Sequence, residues 1–301
     1  MRLVDVAIAG SSGLIGRAVA AALDGSGHRV RPLLRPSSPP HSDGIRWDPA
    51  GGWIDGDALA GVGAVVNLAG ESIGARRWTA RQKVLIRQSR LDATALLART
   101  IAAMPDRKPA LVSSSAAGYY GERGEEVLEE SSEPGDGFLA SVCVDWEAAT
   151  RTAADAGARV AITRSGIVLD PAGGLLRKLL PIFKLGLGGR LGSGAQWTPW
   201  IALGDQARAI VFLVESDDAS GPFNACTPSP VRNSELTHAL GRALRRPAPF
   251  VVPAFALRAA FGEDAVRDAF LTSSRMMPKA LTDAGFSFDH PEIDGALAAI
   301  L

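Results

Sequence analysis

The fold of this chain is decided near its start, by the stretch VDVAIAGSSGLIG at residues 4–16. A short apolar run leads into three glycines, and a helical pattern follows them. Such glycines permit a tight turn, a close approach of the backbone to phosphate, and close helix–strand packing. The start of the helix adds free N–H groups and the positive end of a dipole. The stretch therefore predicts the opening βαβ unit of a Rossmann-type fold that holds a dinucleotide diphosphate. The residues predicted to line this site are Gly10, Ser11, Ser12, Gly13, Leu14, Ile15 and Gly16.

Strand-like and helix-like segments alternate over the first 170 residues, and the strands are almost continuously apolar. This pattern is typical of a parallel sheet covered by helices on both faces. After Asp170 the alternation ends in a segment rich in Gly, Pro and Trp. We therefore predict an α/β fold in which residues 1–170 form a doubly wound parallel sheet and 200–226 return to it. Residues 171–199 and 227–301 are predicted to form a smaller, mixed C-terminal subdomain that caps the substrate.

The composition excludes several classes of protein. Hydrophobic residues make up 47% of the 301 residues and charged residues 21%, which is enough for a core and unlike a disordered chain. Lys+Arg and Asp+Glu are both 32, so no broad positive field is available to attract nucleic acid. The first apolar run is too short for a signal peptide or a membrane span, and two cysteines indicate a reducing compartment. We expect a cytoplasmic protein without membrane or nucleic-acid partners, and without a metal because the four histidines are scattered.

The end of the second strand predicts which dinucleotide is bound. Enzymes that prefer NAD commonly carry Asp or Glu here, bonded to the ribose 2′-hydroxyl. This chain has LLRPSS at 33–38, and Arg35 can pair with a 2′-phosphate through two N–H groups. We therefore expect NADP(H); an ordinary surface arginine, and NAD as the cofactor, stay open as alternatives. Farther along, Leu68, Ala69 and Gly70 are expected to place small backbone groups beside the adenine ribose and diphosphate.

Several segments together resemble a known family: AGSSGLIG, NLAG, SSSAAGYYG, RSGIVL and WIALGD. They look like the extended short-chain dehydrogenase/reductases, and the resemblance is closest to the branch labelled "epimerase family protein". In that branch, NLAGESIGARRW, LPIFKLGLGG, GSGAQWTPWI, GPFNACTPSPVRN and PKALTDAGFSF have close counterparts. The resemblance covers nearly the whole chain and implies a nucleotide-binding fold, NADP(H) at the glycine loop and a substrate cleft beside it.

The resemblance also implies which residues should do the chemistry. In the wider family, a serine of the SSS segment acts with the tyrosine and lysine of a YxxxK helix, and Ser115 occupies the serine position. On the helix FLASVCVDWEAAT, the tyrosine position falls on Leu139 and the lysine position on Cys143. The dyad is therefore absent. Tyr119 and Tyr120, at the end of the same strand, are the alternative catalytic candidates.

Other residues are expected to complete the site. Arg90 on the long helix is predicted to take over the lysine's role in binding the cofactor, and a surface arginine is the equally supported alternative. For the substrate, the predicted contacts are Glu71, Trp78, Trp197 and Trp200, although core packing is the commoner role for tryptophan. The acidic segment 121–137 is expected to be a solvated surface loop, and Asp205 to cap the helix that follows it.

Two functions follow from these features. The first is an NADP(H)-dependent oxidoreductase or epimerase-like enzyme that acts on a hydroxyl or carbonyl group of a small molecule, such as a nucleotide sugar. The second is a sensor or scaffold protein that binds NADP(H) without turnover, because binding requires only the glycine loop and Arg35. A homodimer formed through the long helices is a further expectation.

Overall fold

The computed structural model describes residues 3–74, 76–105 and 107–301. Its centre is an eight-stranded sheet. The strands of this sheet, in chain order, are β1 (Asp5–Ala9), β2 (Arg29–Leu34), β3 (Ile45–Asp48), β4 (Trp53–Ile54), β5 (Val62–Asn67), β6 (Ala110–Ala116), β8 (Val160–Ser165) and β13 (Gly221–Ala225). They lie in the order β13-β8-β6-β5-β1-β2-β3-β4, and every pairing is parallel except that of β3 with β4. The doubly wound α/β fold predicted from the sequence is confirmed.

Short strand pairs lie outside this sheet. These strands are β7 (Val127–Leu128), β9 (Ile167–Leu169), β10 (Gly189–Leu191), β11 (Trp197–Thr198), β12 (Trp200–Ala202), β14 (Val231–Arg232), β15 (Phe250–Val252) and β16 (Arg275–Met276). The pairs are β9 with β12, β10 with β15, β11 with β14, and β7 with β16. Because β7 and β16 are far apart in sequence, the end of the chain folds back onto its first half.

Helices cover both faces of the central sheet and build the C-terminal part. They are α1 (Leu14–Gly25), α2 (Ala80–Ala103), α3 (Phe138–Ala148), α4 (Arg151–Asp155), α5 (Gly174–Lys184), α6 (Leu203–Glu215), α7 (Asn233–Leu244), α8 (Ala254–Phe261), α9 (Glu263–Ala265), α10 (Lys279–Asp283) and α11 (Ile293–Ile300). A 3-10 turn at Ala117–Tyr120 follows β6, and a π turn at Val266–Phe270 follows α9. None of the described helices is long and apolar enough to cross a membrane.

Strand β1 shows why the sheet is covered on both faces. Successive side chains of a strand point to opposite faces. Val6 and Ile8 pack with residues of α1 and α6, whereas Ala7 and Ala9 pack with residues of α2. All four are fully buried. A third cluster of buried apolar residues joins α5, α7 and α11 on the C-terminal side. The sheet therefore fixes the ends of β1, β5 and β6 at one edge, where the loops of the site begin.

The acidic segment 121–137 is exposed over much of its length, as expected, and it is also a structural joint. Its β7 pairs with β16. The partly buried carboxylate of Glu130 accepts hydrogen bonds from the backbone N–H groups of Asn224 (2.9 Å) and Ala280 (3.1 Å). Hydrogen bonds from backbone N–H groups to an ionised carboxylate are stronger than hydrogen bonds between neutral groups. The segment therefore connects the end of the central sheet to the C-terminal region.

Asp205 also has a different role from the expected helix cap. It lies within the first turn of α6, whose cap residue is Ala202. Its fully buried carboxylate accepts hydrogen bonds from the backbone N–H groups of Asp289 (2.8 Å) and His290 (2.9 Å). Asp205 thus holds the C-terminal segment against α6. The division of the chain at 170, 200 and 226 into two subdomains stays a prediction.

Candidate active site

The glycine loop between β1 and α1 is shaped for close contact. Gly10 has φ of +80°, a conformation that favours glycine, and its carbonyl accepts a hydrogen bond from the N–H of Gly13 (3.0 Å). A Cβ on Gly16 would lie 2.1 Å from the Gly10 oxygen, and a Cβ on Gly10 would lie 2.8 Å from the Leu68 oxygen. Only glycine fits at either position. The loops that follow β1 and β5 therefore touch, as expected at a point where the strand order of a parallel sheet reverses.

The start of α1 is free to bind an anion. Its cap residue, Gly13, provides no side-chain hydrogen bond, and the first turn contains no acidic residue. The first N–H groups of the helix thus keep their hydrogen-bonding capacity and the positive dipole end is not neutralised. Ser11 and Ser12 lie in the turn before the helix, and Ile15 packs against the core. The side chain of Leu14 fits against Gly173, so the glycine loop contacts the segment before α5.

The turn after β2 carries Arg35 at the surface. Arg35, Pro36 and Ser37 are exposed, and the N–H of Ser38 donates to the Arg35 carbonyl (2.9 Å). A residue that the sequence did not point to, Arg46 on β3, donates from Nη1 to the carbonyls of Arg35 and Ser38, both at 3.1 Å. Two guanidinium groups therefore lie at the end of β2.

The loop after β5 is held by partly buried polar groups of α2. The N–H of Glu71 donates to Ser89 Oγ (2.9 Å), and Arg90 Nη1 donates to the carbonyl of Glu71 (3.0 Å). The Arg90 guanidinium also lies against Gly70 and, 5.0 Å away, over the ring of Trp146. Burial lowers the pKa of Arg90. The reading of Arg90 as a surface arginine is wrong; it supports the backbone at 69–71, and contact with a cofactor stays a prediction.

Glu71 itself is partly buried at this loop. Its carboxylate accepts a hydrogen bond from Gln82 Nε2 (3.3 Å). Ala69 N–H donates to the side chain of Asn67 (3.3 Å), which fixes the start of the loop. A contact between Glu71 and substrate remains a prediction.

Ser115, at the end of β6, is hydrogen-bonded to a carboxylate. Its Oγ donates to Glu147 Oε1 at 2.7 Å. Arg164 on β8 grips the same carboxylate with two bonds, from Nε to Oε1 and from Nη2 to Oε2, each 2.9 Å long. Such two-point pairs are the strong form of a salt bridge. Burial disfavours the Arg164 charge, but the pairing with Glu147 raises the pKa of Arg164 above its usual value.

This network could have been noticed only in part from the sequence. Arg164 is the register partner of Ser115 in the central sheet, so an arginine at that point of a buried strand needed an acidic partner. Glu147 lies one helical turn beyond Cys143 on α3, on the same helix face. Nothing in the sequence alone brings that helix turn next to Ser115.

The two positions of the absent dyad are buried and uncharged. Leu139 and Cys143 both lie on the inner side of α3. Burial raises the pKa of the Cys143 thiol to about 11, so it stays protonated at neutral pH. Its Sγ contacts the carbonyl of Ala116 at 3.8 Å. Neither residue can supply the proton transfer that a tyrosine and lysine would.

Tyr120 does not face the site, and its selection as a catalytic candidate is wrong. Its side chain is 0% exposed. The hydroxyl donates to Asn224 Oδ1 (2.6 Å) and accepts from Arg164 Nη1 (3.0 Å). Burial raises the pKa of Tyr120 to about 12. Tyr120 is therefore a buried structural residue.

Tyr119 lies closer to the surface than Tyr120. Its half-buried ring stacks on the guanidinium of Arg164, 3.4 Å from the ring centre. Burial raises the pKa of Tyr119 as well, so it is not an activated base. Its role in catalysis stays a prediction.

The three tryptophans chosen as substrate contacts differ in position. Trp200 is 0% exposed and packs in the C-terminal cluster, so its selection as a pocket residue is wrong. Trp78 is also buried, with its Nε1 donating to the Ile73 carbonyl (2.8 Å) and its ring edge-on to Phe138. Burial excludes Trp200 from a pocket wall and makes Trp78 chiefly a core residue.

Trp197 alone of the three is open to the surface in part. The guanidinium groups of Arg232 (4.5 Å) and Arg275 (4.7 Å) both lie over its ring, and its Nε1 donates to Glu125 (2.9 Å). Guanidinium groups stack favourably on indole rings. A contact of Trp197 with substrate stays a prediction. Among the described residues, no three or more His, Cys, Asp or Glu side chains are grouped as a metal site.

The order of the strands in the sheet, the glycine loop and the position of Ser115 are together typical of one class of proteins. This class is the NAD(P)-binding, Rossmann-type dehydrogenases and epimerases. The profile of the "NAD dependent epimerase/dehydratase family" matches residues 6–226, and that of a "domain of unknown function (DUF1731)" matches residues 252–300. The chain therefore belongs to the NAD dependent epimerase/dehydratase family, within the extended short-chain dehydrogenase/reductases. The family resemblance inferred from the motifs is confirmed.

Similar proteins carry the label of one branch of this family. Epimerase family protein Mb2239 of Mycobacterium bovis is 48% identical over 293 residues, which span 97% of this chain and 96% of that protein. The crystal structure of human epimerase family protein SDR39U1 (isoform 2) with NADPH is similar with a TM-score of 0.88 and 33% identity, and the match covers 98% of both chains. A nucleoside-diphosphate sugar epimerase from Corynebacterium glutamicum is similar with a TM-score of 0.82 and 36% identity, over 99% of this chain and 58% of that chain.

Proposed function

We propose that this protein is an NADP(H)-dependent oxidoreductase or epimerase-like enzyme whose active site works without a Tyr–Lys dyad. The observation that carries the proposal is the hydrogen-bonded group Ser115–Glu147–Arg164. It lies at the carboxyl end of β6, at the sheet edge where doubly wound proteins bind ligands. A serine fixed by a partly buried, charge-paired carboxylate at this edge is suited to chemistry on a hydroxyl or carbonyl group.

The choice of NADP(H) rests on residues at both ends of the expected site. Gly10 and Gly16 let the loop after β1 pack closely on itself and on the loop after β5, and the uncapped start of α1 is suited to hold a diphosphate. Arg35 and Arg46 provide positive charge at the end of β2, and the segment 31–42 contains no Asp or Glu. The human relative crystallised with NADPH supports the same choice. Bound there, the cofactor would accept or donate a hydride at the substrate carbon.

The network defines how this chain's own atoms handle the proton. The Ser115 hydrogen is directed at Glu147, so the lone pairs of Ser115 Oγ remain to accept a hydrogen bond from a substrate hydroxyl. As the substrate hydroxyl loses its proton to Oγ, the Ser115 proton passes to the Glu147 carboxylate. Arg164 holds that carboxylate in place throughout. In the reverse direction the proton returns from Glu147 to Ser115 Oγ as Ser115 gives its own proton to the substrate oxygen.

The test compares two adjacent serines. We expect Ser115→Ala to reduce turnover by at least about a hundredfold, the size of a general acid–base contribution. Ser114→Ala changes the opposite face of the same strand and should leave turnover near wild type. Activity is measured with NADP⁺ or NADPH over a panel of nucleotide sugars and simple carbonyl compounds, and affinity for NADPH by calorimetry. Tight binding with no turnover over the panel, in wild type and variants alike, would end the case for an enzyme.

A second function, an NADP(H)-binding sensor or scaffold, is favoured by Leu139 and Cys143. These buried side chains stand where the family's acid–base residues would be. The sensor hypothesis requires a protein partner whose affinity differs between the NADPH-bound and NADP⁺-bound forms. Equal affinity in both forms would remove its basis, and turnover in the Ser115 experiment would favour the enzyme instead.

The substrate, the oligomeric state and the cellular location are proposed in less detail. As substrate we propose a nucleotide sugar, in line with the description of the Corynebacterium relative as a nucleoside-diphosphate sugar epimerase.

The exposed apolar side chains of Val84 and Leu85 on α2 and Val144 on α3 favour a homodimer formed through these helices. Replacing Val84 with glutamate should then convert a dimer to a monomer in analytical ultracentrifugation, and an unchanged mass would argue against this interface. The cytoplasmic location stays a prediction.

A further inference from the structure

The turn after β2 is held from the neighbouring strand. The N–H of Ser38 donates to the carbonyl of Arg35 (2.9 Å), which closes the turn at 35–38. Pro36 contributes no N–H group of its own, so the turn has few internal hydrogen bonds. A guanidinium from β3 supplies the missing connection.

Arg46 is that guanidinium, and its position follows from the sheet register. Leu34, the last residue of β2, pairs with Arg46 on the parallel strand β3. Arg46 therefore stands beside the residues that leave β2. Its Nη1 donates to the carbonyls of Arg35 and Ser38, both at 3.1 Å. These bonds fix the turn and hold the guanidinium against it.

Arg46 retains unused donors and an unneutralised charge. An arginine side chain has five N–H donors, and the two bonds above use only Nη1. Within the part of the chain that the structure describes, Arg46 forms no ion pair with either acid that flanks it in sequence, Asp43 or Asp48, and Asp43 pairs with Arg29. The guanidinium nitrogens Nε and Nη2 are thus available to an external anion at the turn.

We propose that Arg46 determines the preference for the 2′-phosphorylated cofactor, both by holding the Arg35 turn and by adding a second guanidinium to the phosphate site. The inference rests on the proposed binding of NADP(H). A 2′-phosphate accepts several charge-assisted hydrogen bonds, which two guanidinium groups can share. A ribose 2′-hydroxyl needs an acceptor, and residues 31–42 offer no carboxylate. Arg46 therefore increases the affinity for NADP(H) and leaves the affinity for NAD(H) unchanged.

The experiment measures four affinities by calorimetry: NADPH, NADH, 2′,5′-ADP and 5′-AMP. The variant Arg46→Met keeps the length of the side chain and removes its charge and donors. We expect it to weaken NADPH and 2′,5′-ADP by at least about tenfold, as for the loss of one hydrogen bond to a charged group. NADH and 5′-AMP, which lack the 2′-phosphate, should change by less than about twofold, and this also shows that the variant is folded. Arg46→Lys, which keeps the charge without the planar fork, should fall between wild type and Arg46→Met.

The control is Arg99→Met, a charge removal at an exposed position near the end of α2. It should alter none of the four affinities. If wild type shows no preference for NADPH over NADH, the proposed cofactor itself is wrong. If wild type prefers NADPH and Arg46→Met keeps the full preference, the role of Arg46 is wrong while the proposed function stands. Equal weakening of all four ligands would show that Arg46 only supports the fold.

Discussion

Replacing Gly16 with alanine should remove dinucleotide binding while the rest of the protein stays folded. The new Cβ would lie 2.1 Å from the Gly10 oxygen and 2.8 Å from the Ser11 Cα, and both of these atoms belong to the backbone. No side chain can rotate away to relieve the contact. The Gly10 carbonyl must retreat until the contact reaches the 3.4 Å at which ordinary packing begins. The loop that approaches the diphosphate therefore moves by more than an ångström.

The size of the effect follows from this displacement. Forcing one extra methyl group into a packed site costs about 1–3 kcal/mol of stability. If the shifted loop loses two N–H bonds to phosphate, at about 1.5–3 kcal/mol each, affinity for NADPH falls by about a hundredfold to ten-thousandfold. The matched control is Gly25→Ala at the end of the same helix, where a new Cβ meets nothing within 4 Å. That change should raise stability by about 0.4–1 kcal/mol, because alanine restricts the unfolded chain.

The assays are urea unfolding for stability and calorimetric titration for NADPH affinity, both applied to the two alanine variants and wild type. Gly16→Ala must lose affinity by far more than its loss of stability would explain, and Gly25→Ala must bind as wild type does. A Gly16→Ala protein that binds NADPH within threefold of wild type would refute the steric reasoning, and with it the position of the diphosphate.

Three further outcomes concern stability. Because burial raises the pKa of Tyr120 to about 12 from 10.0, the folded state keeps a proton that the unfolded state loses. The contribution of Tyr120 to the free energy of unfolding is complete below pH 10 and is lost toward pH 12 by about 1.4 kcal/mol per pH unit. The urea midpoint of Tyr120→Phe should therefore fall less steeply than that of wild type over this pH range. Equal slopes for the two proteins would contradict this. Trp200→Ala should cost about 3–5 kcal/mol in the same assay, since the side chain is 0% exposed, and a cost below about 1 kcal/mol would be inconsistent with a core position. Asp268→Ala should cost about 0.5–2 kcal/mol, because Asp268 accepts the N–H groups of Phe138 and Leu139 at the start of α3; wild-type stability would rule out this capping role.

The sequence predicted the glycine loop well because its requirements are local. Gly10, Gly13 and Gly16 are close in sequence, and the contacts that demand glycine are made mainly within the loop itself. The α/β alternation likewise depends on hydrophobic periods that can be read segment by segment. For this reason the fold class and the family followed from short motifs, and both are confirmed.

Burial of single aromatic residues could not be predicted in the same way. Tyr120 is bonded to Asn224, 104 residues later in the chain, and that partner decides that the ring points inward. Trp200 stands next to a loop in sequence, yet its position is set by helices α5, α7 and α11. Neighbouring sequence carries no information on either contact. A tyrosine at the end of a catalytic strand therefore looked functional when it was structural.

The polar network of the site shows the same limit. Ser115 was identified by its position at the end of β6, but its partner Glu147 is 32 residues away on another element. The YxxxK pattern falls on Leu139 and Cys143 of α3 and gives no role to Glu147, which lies one helical turn farther along. An arginine such as Arg164 in an otherwise apolar strand was the available signal, because a buried charge requires a partner.

The joint at Glu130 has a consequence for how the molecule is made. Its carboxylate receives one N–H group from Asn224 and another from Ala280, which lies 150 residues farther along the chain. At a synthesis rate of about 5–20 residues per second, the second donor leaves the ribosome on the order of ten seconds after the acceptor. Until then β7 has no partner strand, because β16 has not been made. This corner of the protein therefore cannot close until nearly the whole chain has been made, and until then the nascent chain leaves β7 unpaired.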